Sequence, residues 1–209
     1  MSDEFFTGVG ARITPDLVCL LMRRFSQLQR RRARSGGANG ADEAFETNWD
    51  PVIYLPQRGF RGKCGVWRYT DAQLAFADTQ VERAYPHDFS AVNEFTRDCF
   101  RRNVWEVIGL CDSVKDAKPS DFLLCWTPDG ALGIDDYDRD MTGGTGIAIN
   151  IASLYSVKVY NLKRINHVKK IAAWCDKQEK ALKVSFNVKT GTHHTRNGEV
   201  WNPFDVFAY

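Results

Sequence analysis

The sequence predicts an α/β fold, a parallel sheet flanked by helices, and three observations carry that prediction. Short apolar runs alternate with amphipathic helical stretches from residue 5 to residue 160. Glycine clusters recur at equivalent points of this repeat, around residues 8, 36 and 143, where a strand gives way to a helix or a helix begins. The run 122–126 (Phe-Leu-Leu-Cys-Trp) is apolar without a break, which suits a central strand covered on both faces.

Taken in order, residues 5–8 read as a buried strand ending at Gly8. Thr14 is expected to cap the next helix, with Pro15 in its first turn and Leu17, Leu20, Leu21, Phe25 and Leu28 at helical spacing. Residues 33–35 form a second strand, the string 35–40 (Ser-Gly-Gly-Ala-Asn-Gly) a turn, and Ala41 opens a helix. Residues 52–55, stopped by Pro56, are a third strand. Residues 57–83 lack a clean period and are expected to cross the surface, with a short helix near 71–78. Ser90 is expected to cap a helix carrying Val92, Phe95 and Phe100, followed by a further helical stretch over 104–111. The strand at 121–126, the helix after Gly143 to Gly146 with Ile147, Ile149, Ile151 and Leu154, and a strand at 157–160 complete the repeat. A helix over 166–182 and a strand pair around the turn at 190–198 close the chain. This alternation makes residues 1–162 a Rossmann-like domain that binds ligands at the C-terminal strand ends. Residues 163–209 are an accessory extension, expected to serve oligomerisation.

Of the 209 residues 44% are hydrophobic and 12% aromatic, enough for one core and too few for two. Six cysteines without a C-x-x-C pair, mostly in apolar stretches, read as buried reduced thiols rather than as disulfides or zinc ligands. No apolar run has membrane-spanning length and the N-terminus is acidic, so a cytoplasmic protein without an export signal is expected. A net charge of +2 does not mark a nucleic-acid binder, although six arginines crowd residues 23–34 and four aspartates crowd 135–140. Both runs are read as solvated faces. His193 and His194 lie in an expected hairpin far from other ligand types, and no metal or cofactor is expected.

The chemistry lies in the glycine turns, because glycine lets a backbone approach a phosphate and free N–H groups at a helix start favour an anion. The strings Thr7-Gly-Val-Gly-Ala-Arg12, Ser35-Gly-Gly-Ala-Asn-Gly-Ala-Asp42, Arg102-Asn103, Cys125-Trp-Thr-Pro-Asp-Gly130 and Gly143-Gly-Thr-Gly146 occur in that order. In this order they resemble the SLOG superfamily, which joins DNA-processing-A proteins, cytokinin-activating phosphoribohydrolases and sensor domains. The likeness covers about residues 5–162. It implies a nucleotide-derived ligand held by Gly8, Gly10, Arg12, Ser35, Gly36, Gly37, Ala38, Asp42, Arg102, Asn103, Trp126, Thr127, Gly143, Gly144, Thr145 and Gly146. The turn at Gly143 would seat a phosphate, with Arg12 and Arg102 as anion partners. Asp42 either caps its helix or accepts ribose hydroxyls, and Trp126 either stacks on a base or packs in the core.

One position departs from the resemblance. Phosphoribohydrolases carry Pro-Gly-Gly-x-Gly-Thr-x-x-Glu, whereas here the aligned string ends in Asn150, which can hydrogen-bond but cannot act as a base. The expectation is therefore a non-catalytic binder of an ADP-ribose-type or cyclic nucleotide signal. The likeness to compact stand-alone members suggests a phage protein that sequesters a host immune signal. Two alternatives stand beside it: a hydrolase using Asp42 or Glu46, and a DNA-binding protein of the DNA-processing-A kind, for which the arginine-rich segment is the only support.

Overall fold

Five short parallel strands form the sheet: β1 (Phe5–Gly8), β2 (Arg32–Ser35), β3 (Val52–Ile53), β4 (Phe122–Cys125) and β5 (Lys158–Asn161). The computed structural model describes residues 4–207, so most of the acidic N-terminus lies outside the described residues. The strand order is β3-β2-β1-β4-β5, with Phe6 opposite Ala33, Thr7 opposite Leu123 and Leu124 opposite Tyr160. The chain thus builds outward from β1 in one direction and then, at β4, in the other. A parallel sheet leaves a crevice at such a reversal, beyond the C-terminal ends of the two central strands.

Helices α1 (Asp16–Leu28), α2 (Ala41–Phe45), α3 (Asp71–Ala84), α4 (Glu94–Ile108), α5 (Arg139–Thr142), α6 (Thr145–Leu154) and α7 (Ile165–Leu182) surround the sheet. Alternate residues of β4 explain its unbroken apolar run. Leu123 and Cys125 join one core with Val104, Trp105, Ile108, Ile147 and Ile151, from α4 and α6. Leu124 and Trp126 join a second core on the other face, with Phe6, Met22, Phe25 and Phe45. Ile171 and Cys175 of α7 are buried in this second core. The hairpin β6 (Val184–Asn187) and β7 (Thr192–Thr195) lies against α1 and α7, tied by the Gln27 side-chain amide to the Gly191 carbonyl at 3.0 Å.

Several elements differ from their sequence readings for local reasons. Thr14 does not cap α1: its hydroxyl donates to the Ala11 carbonyl at 2.6 Å, and Pro15 stands at the cap position. Leu17 is exposed, and the buried part of α1 is its second half, where Phe25 meets Phe6 and Trp174. The short helix expected near 71–78 starts at a reciprocal capping box of Thr70 and Gln73 and runs to Ala84, its second half burying Ala77, Gln80, Val81 and Ala84. The two helical stretches expected from Ser90 to residue 111 are one helix, α4, capped by Asn93. Ser90 lies in the preceding 3-10 turn, where Asp88 accepts from its backbone N–H and its hydroxyl. The hairpin turns at residues 188–191, earlier than expected. All six cysteines are free thiols, with Cys111, Cys125 and Cys175 buried and Cys64 exposed. No described helix is long and apolar enough to cross a membrane.

Asn48 ties the first half of the sheet together. Its amide donates to the Ser26 and Arg31 carbonyls at 3.0 and 3.1 Å, and its oxygen accepts from the Ala33 N–H at 3.1 Å. Asn48→Ala leaves these buried backbone groups without partners, and it should cost about 3 kcal/mol in urea unfolding. A loss below about 1 kcal/mol would show that water replaces the side chain.

Candidate functional site

The crevice at the β1/β4 reversal is a cleft of about 350 Å³. Its walls are the loop after β1 (residues 9–13), the second glycine turn through Ala38 and Asp42, one face of α4, and the turn from Thr142 to Thr145. Ala11 N–H donates to the Trp126 carbonyl at 3.1 Å, which fixes the first loop to the end of β4. The side-chain amide of Asn103 donates to the Gly144 carbonyl at 2.8 Å, which fixes the Gly143–Gly144 turn to α4. Gly143 has φ +59°, so a side chain there would be strained, and α6 begins after Gly144 with no side-chain cap. The Gly146 and Ile147 N–H groups donate to the Gly143 and Gly144 carbonyls at 3.1 and 3.2 Å, which leaves the N–H groups of Gly144 and Thr145 without an acceptor among the described residues at the cleft wall, the arrangement that favours an anion. Arg12 stands exposed beside them and forms no ion pair among the described residues.

Arg102, in contrast, is not a free anion partner. Its guanidinium is enclosed between Glu106, which it contacts directly, and Asp42 at 3.8 Å. Asp42 in turn accepts the Ala38 N–H at 3.1 Å. A Cβ at position 36 would collide with the Arg102 guanidinium, so Gly36 is glycine to admit this ion group rather than to touch a phosphate. Burial pushes the Glu106 carboxyl up to about 8, Arg102 opposing the rise and Asp42 adding to it. Burial also raises Asp42, again against the pull of Arg102. Glu106 lines the cleft, its second oxygen is buried without a hydrogen-bond partner, and the sequence reading missed it. Two signals pointed to it: a lone carboxylate inside Val104-Trp-Glu-Val-Ile108, and its i,i+4 spacing from Arg102 once α4 is read as one helix.

Of the expected site residues, Gly10, Arg12, Ala38, Asp42, Arg102, Asn103, Gly143, Gly144 and Thr145 line the cleft. The others stand behind it. Gly8 packs under the Phe45 ring and Gly146 under the Tyr137 ring, each too close to admit a Cβ. Ser35 donates to Glu46 at 3.3 Å, and Gly37 has φ +73°. Thr127 accepts from the Asn161 side-chain amide at 2.7 Å. Trp126 is buried in the second core with Lys163 over its ring. Glu46 pairs with Lys63 and lies outside the cleft lining. Asn150 is fully buried, and its amide donates to the Ala84 carbonyl at 2.8 Å, joining α6 to α3.

The charged runs are also accounted for. Arg24 pairs with Asp176 and Glu179, Arg31 with Asp121, and Arg32 with Asp50, while Arg34 is buried with its guanidinium 3.9 Å from the Phe5 ring centroid. Three of the six arginines in the segment expected to be a solvated basic face, Arg24, Arg31 and Arg32, are thus paired within the fold. Asp138 caps α5 and Asp136 pairs with Arg164. His193 is buried between Gln27 and Glu179, and no metal-ligating cluster occurs among the described residues.

The chain matches no protein-family model, no curated protein and no solved structure. The likeness to the SLOG superfamily rests on the order of its sequence strings alone.

A carboxyl raised to about 8 in the fold binds a proton that the unfolded chain has released above its ordinary value of 4.5. Its contribution to stability is therefore fully present near pH 4 and is lost as pH rises through about 8. Unfolding free energy should fall between about pH 5 and pH 8, and Glu106→Gln, which cannot ionise, should flatten that fall. An identical slope in the variant and the unmodified protein would place the proton elsewhere.

Proposed function

We propose that the protein binds a nucleotide-derived signalling molecule of ADP-ribose or cyclic nucleotide type without turning it over, and so sequesters it. The observation that carries this reading is the meeting of the uncapped start of α6, the Gly143–Gly144 turn and the unpaired Arg12 at one cleft. Backbone N–H groups and a free guanidinium together suit a phosphate. The absence of turnover is supported by Asn150. The side chain standing where the related hydrolases carry glutamate is spent on the Ala84 carbonyl and does not line the cleft.

Titration calorimetry with ADP-ribose and cyclic dinucleotides tests the site. Arg12 is exposed, so Arg12→Ala should leave stability within about 0.5 kcal/mol and weaken binding about ten- to hundredfold, as for loss of a charged hydrogen bond. Gly144 has helical φ and ψ, and its nearest neighbour to an added Cβ is Phe100 at 3.9 Å. Gly144→Asp should therefore fold, even cap α6, and abolish binding by putting a carboxylate where a phosphate belongs. Unchanged affinity in both variants would place the ligand elsewhere.

Glu106 favours a second reading, a hydrolase of N-glycosidic bonds. A carboxyl with a raised pKa at a cleft is suited to general acid work. Under that reading the protein releases free base over many turnovers and Glu106→Gln stops it. No release from the unmodified protein removes the hydrolase.

A further inference from the structure

The cleft opens into a second compartment of about 610 Å³ that no glycine string announces. The two share one wall, made of Arg12, Cys99, Phe100, Gly143 and Gly144. Their chemistry differs. The first compartment has a polar inner end, where Asp42, Asn103 and Arg102 meet. The second is lined by aromatic rings from the segment between α3 and α4 and from α4 itself. Tyr85 packs against His87 at 5.2 Å and against Phe100 at 5.3 Å between ring centroids. Phe95, 43% exposed, stands on the same wall with one neighbouring ring, Phe60 at 6.1 Å. A phenylalanine left this open at a compartment lined by other rings is a surface for stacking a flat apolar group. Arg139 also lines this compartment and, like Arg12, has no ion pair among the described residues.

Each compartment reaches the roughly 300 Å³ lower bound of small-molecule sites, so a ligand confined to one would leave the other to water. The shared wall carries Arg12 and the Gly143–Gly144 turn, whose Gly144 N–H, like that of the adjoining Thr145, has no acceptor among the described residues, and it lies between the aromatic and the polar compartments. We infer that the ligand is a base–phosphate–sugar molecule that lies across both, with its base in the aromatic compartment, its phosphates at the Gly143–Gly144 wall and a terminal sugar in the polar compartment. This rests on the proposed nucleotide-derived ligand and fixes its direction in the cleft.

The inference separates three probes: ADP-ribose, which has all three parts; AMP, which lacks the terminal sugar; and ribose 5-phosphate, which lacks the base. ADP-ribose should bind at least tenfold more tightly than either fragment. Phe95→Ala, a truncation at an exposed site, should weaken ADP-ribose and AMP about tenfold each, the lower part of the range for one stacked base, and leave ribose 5-phosphate unchanged. If AMP and ADP-ribose bind but Phe95→Ala leaves both unchanged, the base lies elsewhere and the inference fails while the proposed function stands. If the unmodified protein binds AMP as tightly as ADP-ribose, the terminal sugar has no compartment and the inference fails in that part. If none of the three probes binds at millimolar concentration, this inference fails, and the proposed function fails with it when cyclic dinucleotides do not bind either.

Discussion

The Arg102 guanidinium, enclosed by Asp42 and Glu106 and admitted only because residue 36 has no side chain, joins α4 to the turn after β2. Taking a guanidinium out of water is tolerable only with its acidic partners in place, and removing one partner of such a group typically costs about 3–5 kcal/mol. The remaining walls of the cleft are aligned to the same helix. Asn103, the next residue, holds the Gly144 carbonyl, and Phe100, one turn earlier, separates the two compartments. One side of α4 thus sets the distance between the second glycine turn and the third. The guanidinium is held at the floor of the cleft by its two acidic partners, and the arginines without an ion pair along the two compartments are Arg12 and Arg139.

Much of the sheet was legible in the sequence because β1 ends at a glycine, the run holding β3 stops at Pro56, and β4 alternates between two cores that both need apolar residues, whereas β2 (Arg-Ala-Arg-Ser) was legible only from its place before the second glycine turn. What escaped lies mostly between residues 57 and 111. There α3 carries a weakly apolar face, and its capping box, Thr70 with Gln73, is a two-residue signal inside a segment without a period. Helix α4 looked like two pieces because its first half is polar and partly exposed while its second half is buried. Dividing it hid the i,i+4 relation between Arg102 and Glu106, and with it the ion group. The aromatic compartment escaped for a different reason: Tyr85 and Tyr137 reach the α4 rings Phe95 and Phe100 from other segments, a proximity that is tertiary.

The glycines divide by purpose in a way that composition could not reveal. Gly8, Gly36 and Gly146 lack side chains because Phe45, Arg102 and Tyr137 occupy the space. Gly143 is needed for its backbone, and at Gly144 a side chain would meet almost nothing, so that position keeps the cleft open rather than the core closed. A string of glycines that resembles a phosphate-binding family is thus partly a record of close packing. Of the three turns, only the third combines amides without an acceptor, those of Gly144 and Thr145, with open space beside them.

Non-catalytic binding at this cleft is the central claim, and the fate of a bound ligand tests it most directly. The protein is incubated with an excess of ADP-ribose, freed of unbound ligand, and denatured by heat, and the released small molecules are identified by mass spectrometry. The account predicts one intact ligand per cleft, recovered unchanged after hours of incubation. Recovery of adenine, AMP or ribose 5-phosphate in place of the intact molecule would contradict it.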